Sequence, residues 1–146
     1  MMQKSPISTL IEIAEKDSDE SAKRLGKTIH AHEETEKQLS LLLKYRDDYQ
    51  QRFEEGGAKG LSTAQYMNFL SFISKLDSAV DGQKQVVRDA EYKIVLARNQ
   101  WQECEKKRLS YNTLNNRSQA SLQKKEAKLD QKNTDEHAAR SFFYKR

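Results

Sequence analysis

The sequence contains one cysteine, one proline, one tryptophan and five glycines in 146 residues. Each shortage excludes something. A lone Cys104 rules out an internal disulfide, and it reads as a small apolar side chain in a helical seam. The single proline, Pro6, lies near the start and leaves every later segment free to be helical. Apolar residues are also scarce. The hydrophobic set is 36% and charged residues are 33%, against roughly 45–50% and 25% in ordinary globular domains. A compact core needs more apolar residues than this. A two-helix rod needs fewer, because only a narrow stripe is covered. No stretch approaches the roughly 20 apolar residues of a membrane span, and the opening MMQKSPISTL has no apolar run of signal-peptide length. A cytoplasmic location is expected.

What the sequence has is periodicity. From Tyr66 to Leu129 apolar or small residues recur every three or four positions: Tyr66, Phe69, Ile73, Leu76, Val80, Gln83, Val87, Ala90, Ile94, Ala97, Trp101, Cys104, Arg108, Tyr111, Asn115, Ser118, Leu122, Lys125 and Leu129. The mean step of 3.5 is the heptad period that winds helices around each other. The last third is weaker, with Arg108, Asn115, Ser118 and Lys125 at seam positions. An earlier seam runs through Ile7, Ile11, Ala14, Ser18, Ala22, Leu25, Ile29, His32, Glu36, Leu39, Leu42, Arg46, Tyr49 and Phe53. Its polar members His32, Glu36 and Arg46 cost stability but can fix register.

Punctuation separates the two seams. Ser5-Pro6 opens the first helix as N-cap and first-turn proline. Gly56, Gly57 and Gly60 fall within five residues and allow a reversal. Ser62 to Gln65 then matches a capping box. The sequence thus predicts an all-α single domain, a long antiparallel two-helix coiled coil with helices over about 6–54 and 62–139, a turn at 55–61 and a frayed tail at 140–146. At 1.5 Å per residue the second helix would span about 115 Å and the first about 75 Å. A bend near Gly57 to Lys59 would make facing residue numbers sum to about 117, leaving Asn112 to Arg146 without a partner in the chain.

No catalytic arrangement stands out, and a non-enzymatic protein without cofactor is expected. His30 and His32 are two apart and point to different sides of a helix, whereas neighbouring metal ligands on one helix would be three or four apart. The glycine-rich turn lacks the GKS/T ending of a phosphate loop. Charge is uneven: after Glu105 there are 11 basic residues and 4 acidic ones. Lys106, Lys107, Arg108, Lys124, Lys125, Lys128 and Lys132 could meet an acidic protein surface or nucleic acid, or form a solvated helix face.

A second stripe lies beside the seam. Gln38, Leu42, Tyr45 and Tyr49 are spaced four, three and four, and Phe72, Leu76, Ala79 and Gln83 repeat that spacing. The expected register pairs Tyr45 with Phe72 and Gln38 with Ala79. Two narrow helices cannot cover both stripes, so these residues either widen the core or form a partner surface.

With these residues in view, the chain resembles the FliJ family of the bacterial flagellar type III export apparatus. The likeness runs through TLIEIAEKDSDESAKRLG, EKQLSLLLKYRDDYQ, YMNFLSFISKLDSAV and DQKNTDEHAAR. It implies a stalk-like rod that binds the hexameric export ATPase FliI and promotes its assembly and activity. It further implies contact with the export gate protein FlhA and with export chaperones, at the cytoplasmic face of the inner membrane. The family's gate-contact residues map onto Gln38, Leu42, Tyr45, Tyr49, Phe72, Leu76 and Ala79. The next member of that set is commonly histidine, and this chain has Gln83 there. The resemblance also implies that the end carrying the termini sits in the ATPase ring, and Lys124, Lys125, Lys128 and Lys132 are the basic residues there that would contact it. A free export chaperone using the 112–146 overhang, or a nucleic-acid-binding coiled coil, are the alternatives.

Overall fold

The computed structural model describes residues 5–57 and 60–144. They form two helices, α1 (Pro6–Gly57) and α2 (Thr63–Tyr144). Both starts follow from local chemistry. Ser5 caps α1, its hydroxyl oxygen accepting from the Ser8 amide at 3.2 Å. At α2 the Ser62 hydroxyl accepts from the Gln65 amide at 3.2 Å, and the Gln65 side chain accepts from the Ser62 amide at 3.0 Å. This reciprocal pair is the expected capping box, and it satisfies two amides that have no partner within the helix.

The helix ends lie further out than the sequence predicts. α1 runs through Gly57 rather than ending near 54, and α2 continues through Tyr144 rather than ending near 139. Gly56 and Gly57 stay within the helix, and Gly60 takes the left-handed backbone at φ 81°. A side chain would strain that conformation, which is why the reversal falls at this glycine. The Gly60 amide donates to the Gly57 carbonyl at 3.2 Å. Ala58 and Lys59 of the expected bend, and Lys145 and Arg146 of the expected tail, lie outside the described residues.

Reversal about residue 60 moves the pairing. The cross-helix partners Thr35 with Gln83 and Tyr49 with Phe69 have numbers summing to 118. Ser18 with Glu105, His32 with Glu91 and Arg46 with Asp77 sum to 123. The expected sum of about 117 is therefore low by up to six. It corresponds to a bend centred one and a half residues earlier than the midpoint of Gly57 and Thr63.

The helices contribute to two compact units. One holds 19–102, and the other the residues up to Ser18 together with those from Glu103. In the 19–102 unit, Val80, Val87 and Ala90 are buried, while Leu25, Leu39, Leu42, Ile73, Leu76 and Ile94 are half-buried. The seam of α2 is as expected: the positions from Phe69 to Trp101 are all buried or half-buried. The seam of α1 differs at two places. Ala22 and Glu36 are exposed, whereas Ser21 is fully buried and Thr35 half-buried. Strict alternation of four and three steps from Leu25 selects 21 and 35. Geometry overrides the polarity of the side chains, because both hydroxyls are small and have partners. The Ser21 hydroxyl accepts from the Arg24 guanidinium at 3.4 Å, and the Thr35 hydroxyl donates to the His32 carbonyl at 2.7 Å.

In the other unit Ala14 and Ser18 are buried, and Ile7, Ile11, Cys104, Arg108, Tyr111 and Asn115 are half-buried. A polar contact holds the two helices here. Ser18 donates to the Glu105 carboxylate. Arg108 binds the same carboxylate through two nitrogens, at 3.2 and 2.7 Å. The Arg108 bonds, followed by the Ser18 bond, hold the Glu105 carboxyl below its ordinary value of 4.5, against a smaller opposing effect of burial. The folded form therefore favours the ionised state. Its contribution to stability is complete above the ordinary glutamate range and is lost as pH falls through the lowered folded value. We expect Glu105→Gln to melt earlier than the parent at pH 7. The gap should shrink steadily as both are titrated below pH 4.5. A gap that is constant from pH 7 to acid would show that Glu105 contributes through shape alone.

Candidate functional site

Five aromatic side chains, Tyr49, Phe53, Tyr66, Phe69 and Phe72, gather toward the reversal. Phe53 stacks on Phe69 with ring centroids 3.6 Å apart, and Tyr49 stacks on Phe69 at 5.5 Å. Tyr49 also meets Phe72 at 4.3 Å with the rings tilted by 54°, and Phe53 meets Tyr66 at 6.0 Å. The heptad alternation places these side chains along one side of each helix, and the reversal at Gly60 brings the two sides together. Ring pairs of this kind add about 0.5–1.5 kcal/mol beyond the area they cover.

The side-by-side stripe separates into three environments. Leu42, Tyr49, Leu76 and Gln83 are half-buried seam residues, while Gln38 and Ala79 are exposed. Tyr45 is 59% exposed and Phe72 43%. The sequence sets Tyr45 and Phe72 at one level beside the seam, and the ring that Phe72 touches is that of Tyr49. Tyr45 and Phe72 border one open groove of about 320 Å³, together with Asp48, Tyr49, Arg52 and Leu76. Asp48 and Arg52 do not emerge from the sequence. They follow Tyr45 at steps of three and four, a spacing that puts them on its helix face, but apolar patterning passes over charged residues. The groove has an aromatic wall with one acidic and one basic residue on its rim, a composition suited to a protein partner.

Gln83 has a structural occupation. Its amide nitrogen donates to the Thr35 carbonyl at 3.0 Å and ties α2 to α1. Arg46 makes another tie, its guanidinium 3.4 Å from the Asp77 carboxylate. That pair is partly solvent-accessible and so contributes only modestly.

The four lysines of the second candidate site lie elsewhere. Lys124, Lys125, Lys128 and Lys132 are all exposed on α2, with Lys124, Lys128 and Lys132 one turn apart. Beyond Asn115 every described residue except the half-buried Ser141 is exposed, including Leu122, Leu129, Phe142, Phe143 and Tyr144. The seam pattern thus continues in α2 after the last α1 residues that could cover it. Among the described residues no helix is long and apolar enough to cross a membrane.

Two heptad-patterned helices joined by a capped reversal define an antiparallel helical hairpin of the coiled-coil type. Its candidate sites are an aromatic-walled groove beside the seam and an exposed basic stretch of α2. The model of the flagellar FliJ protein family matches residues 3–146, and the chain belongs to that family. Two relatives carry the name flagellar FliJ protein, one from Escherichia coli K12 and one from Salmonella typhi. Each is 28% identical over 145 residues, spanning 99% of this chain and 99% of its own length.

Proposed function

We propose that this chain is a component of the flagellar protein export apparatus. In this reading it binds the hexameric export ATPase FliI, promotes assembly and activity of its ring, and links it to the export gate protein FlhA and to export chaperones. Family membership supports the setting. The observation that carries the mechanism is the exposed run of α2 after Asn115, which keeps a seam pattern while its side chains face solvent. Such a helix is free to enter a ring of acidic surfaces. The groove at Tyr45 and Phe72, on the other unit, is left for the gate.

The ATPase half of this reading has a direct test. Reversing Lys124, Lys125, Lys128 and Lys132 to glutamate should weaken FliI binding and remove stimulation of ATP hydrolysis together. Raising salt on the parent protein should act in the same direction, since exposed charge pairs are screened beyond about 8–10 Å at physiological ionic strength. A reversed variant that binds and stimulates like the parent would reduce the lysines to a solvated face.

A further inference from the structure

His32 occupies a seam position of α1 and is half-buried, its side chain 16% exposed. Its Nε2 is buried and has no hydrogen-bond partner among the described residues. Two carboxylates nevertheless face that atom. Glu36, one turn along α1, brings Oε1 to 3.3 Å, and Glu91 of α2 brings Oε1 to 3.5 Å. The three candidate donor atoms lie within 4.8 Å of one another.

A buried imidazole nitrogen without a hydrogen bond is costly, so something else should satisfy it. The distances suggest what. Ligands at the usual zinc bond length of about 2.0–2.1 Å stand roughly 3.3–3.4 Å apart along the edge of a tetrahedron. Both nitrogen-to-oxygen separations fit that edge. The two oxygens can close on each other by rotation at the ends of the glutamates, whose side chains are 56% and 57% exposed. The same exposure gives an ion a path from solvent. Two carboxylates balance the charge of a divalent ion, and the imidazole favours a borderline transition metal over magnesium or calcium. A tetrahedral ion would keep its fourth position open to water.

We propose that His32, Glu36 and Glu91 form a three-ligand site for a divalent transition-metal ion of the zinc type, clamping α1 to α2 within the 19–102 unit. The spacing of His30 and His32 along α1 points to no such site, because two of the three ligands are acidic and one comes from the opposite helix. Metal binding would then stabilise the hairpin, because only the folded chain brings the three donors together.

The test uses the full chain, stripped with chelator and titrated with zinc chloride by calorimetry. Magnesium chloride serves as the comparison ion, and cobalt absorbance reports geometry. The proposal expects one zinc per chain, a visible cobalt spectrum of the tetrahedral type, and a melting temperature that climbs with zinc concentration. His32→Ala and Glu91→Gln should each weaken binding by about tenfold or more, a loss on the scale seen even for residues behind the ligands. Glu91 is exposed, so the second variant keeps the test valid if the first unfolds; circular dichroism checks both. A double His30→Ala/His137→Ala variant should bind zinc like the parent. Absence of zinc binding, or binding that survives Glu91→Gln and vanishes in the double variant, overturns the proposal and leaves His32 as a histidine paired with two carboxylates.

Discussion

Tyr45→Ala should leave the hairpin as stable as the parent and cost it the export gate. The tyrosine is 59% exposed and stands beside the aromatic stack, so its removal exposes little that was covered. Substitutions at such positions change stability by about 0.5 kcal/mol or less. Alanine is also the better helix former. If the groove bordered by Tyr45, Tyr49, Phe72 and Leu76 receives FlhA, an aromatic on its wall is the kind of residue that dominates an interface. The expected loss is about 2 kcal/mol or more, roughly thirtyfold in Kd. Thermal melts and gate binding measured on the same preparation read the two effects separately. Phe72→Ala should show a mixture of both, because Phe72 is 43% exposed and also touches Tyr49. A Tyr45→Ala protein that melts early yet binds the gate normally once folded would move the residue into the core and leave the gate site unassigned.

Phe69→Ala should have the opposite profile. Its ring lies against Phe53 at 3.6 Å and Tyr49 at 5.5 Å, so one truncation empties the centre of the stack. Deleting a buried aromatic costs about 3–5 kcal/mol in a closed core. Phe69 is half-buried, so the lower end, about 3 kcal/mol, applies. In a chain with 36% hydrophobic residues that is a large share of the stability. Urea melts followed by circular dichroism should show the midpoint fall sharply. A double-mutant cycle with Phe53→Ala should return a coupling of about 0.5–1.5 kcal/mol for the ring pair. Tyr66→Ala is the control: its ring is 48% exposed and 6.0 Å from Phe53, and its truncation should cost less. A Phe69→Ala midpoint close to that of the parent would show that the stack is a surface ornament and that Val80 and Val87 carry the unit.

The groove is partly legible in the sequence. Tyr45 and Phe72 stand out because aromatic side chains at helical spacing are conspicuous in a chain this polar. Asp48 and Arg52 do not, since a third of the residues are charged and most face water. The His32 cluster is illegible for a related reason. Spacing alone places Glu36 in the seam, and Glu91 is one glutamate among many until α2 is laid against α1.

What the sequence alone determined was the material and the joints. The alternation of threes and fours decides that the chain is helical and which face of α2 is covered, because side-chain direction in a helix depends only on spacing. Ser5 and the Ser62–Gln65 box decide where the helices start, because a cap acts within four residues. The tertiary structure decided what depends on distant partners. Within α1 it chose Ser21 over Ala22 and Thr35 over Glu36, although polarity ranks Ala22 first. It set the pairing so that the ring of Tyr49 meets Phe72. The second decision traces to the reversal at Gly60, whereas the first follows the run of alternating steps through Leu25. A change of one residue there moves every cross-helix pair, and three nearby glycines cannot say which of them takes the left-handed conformation.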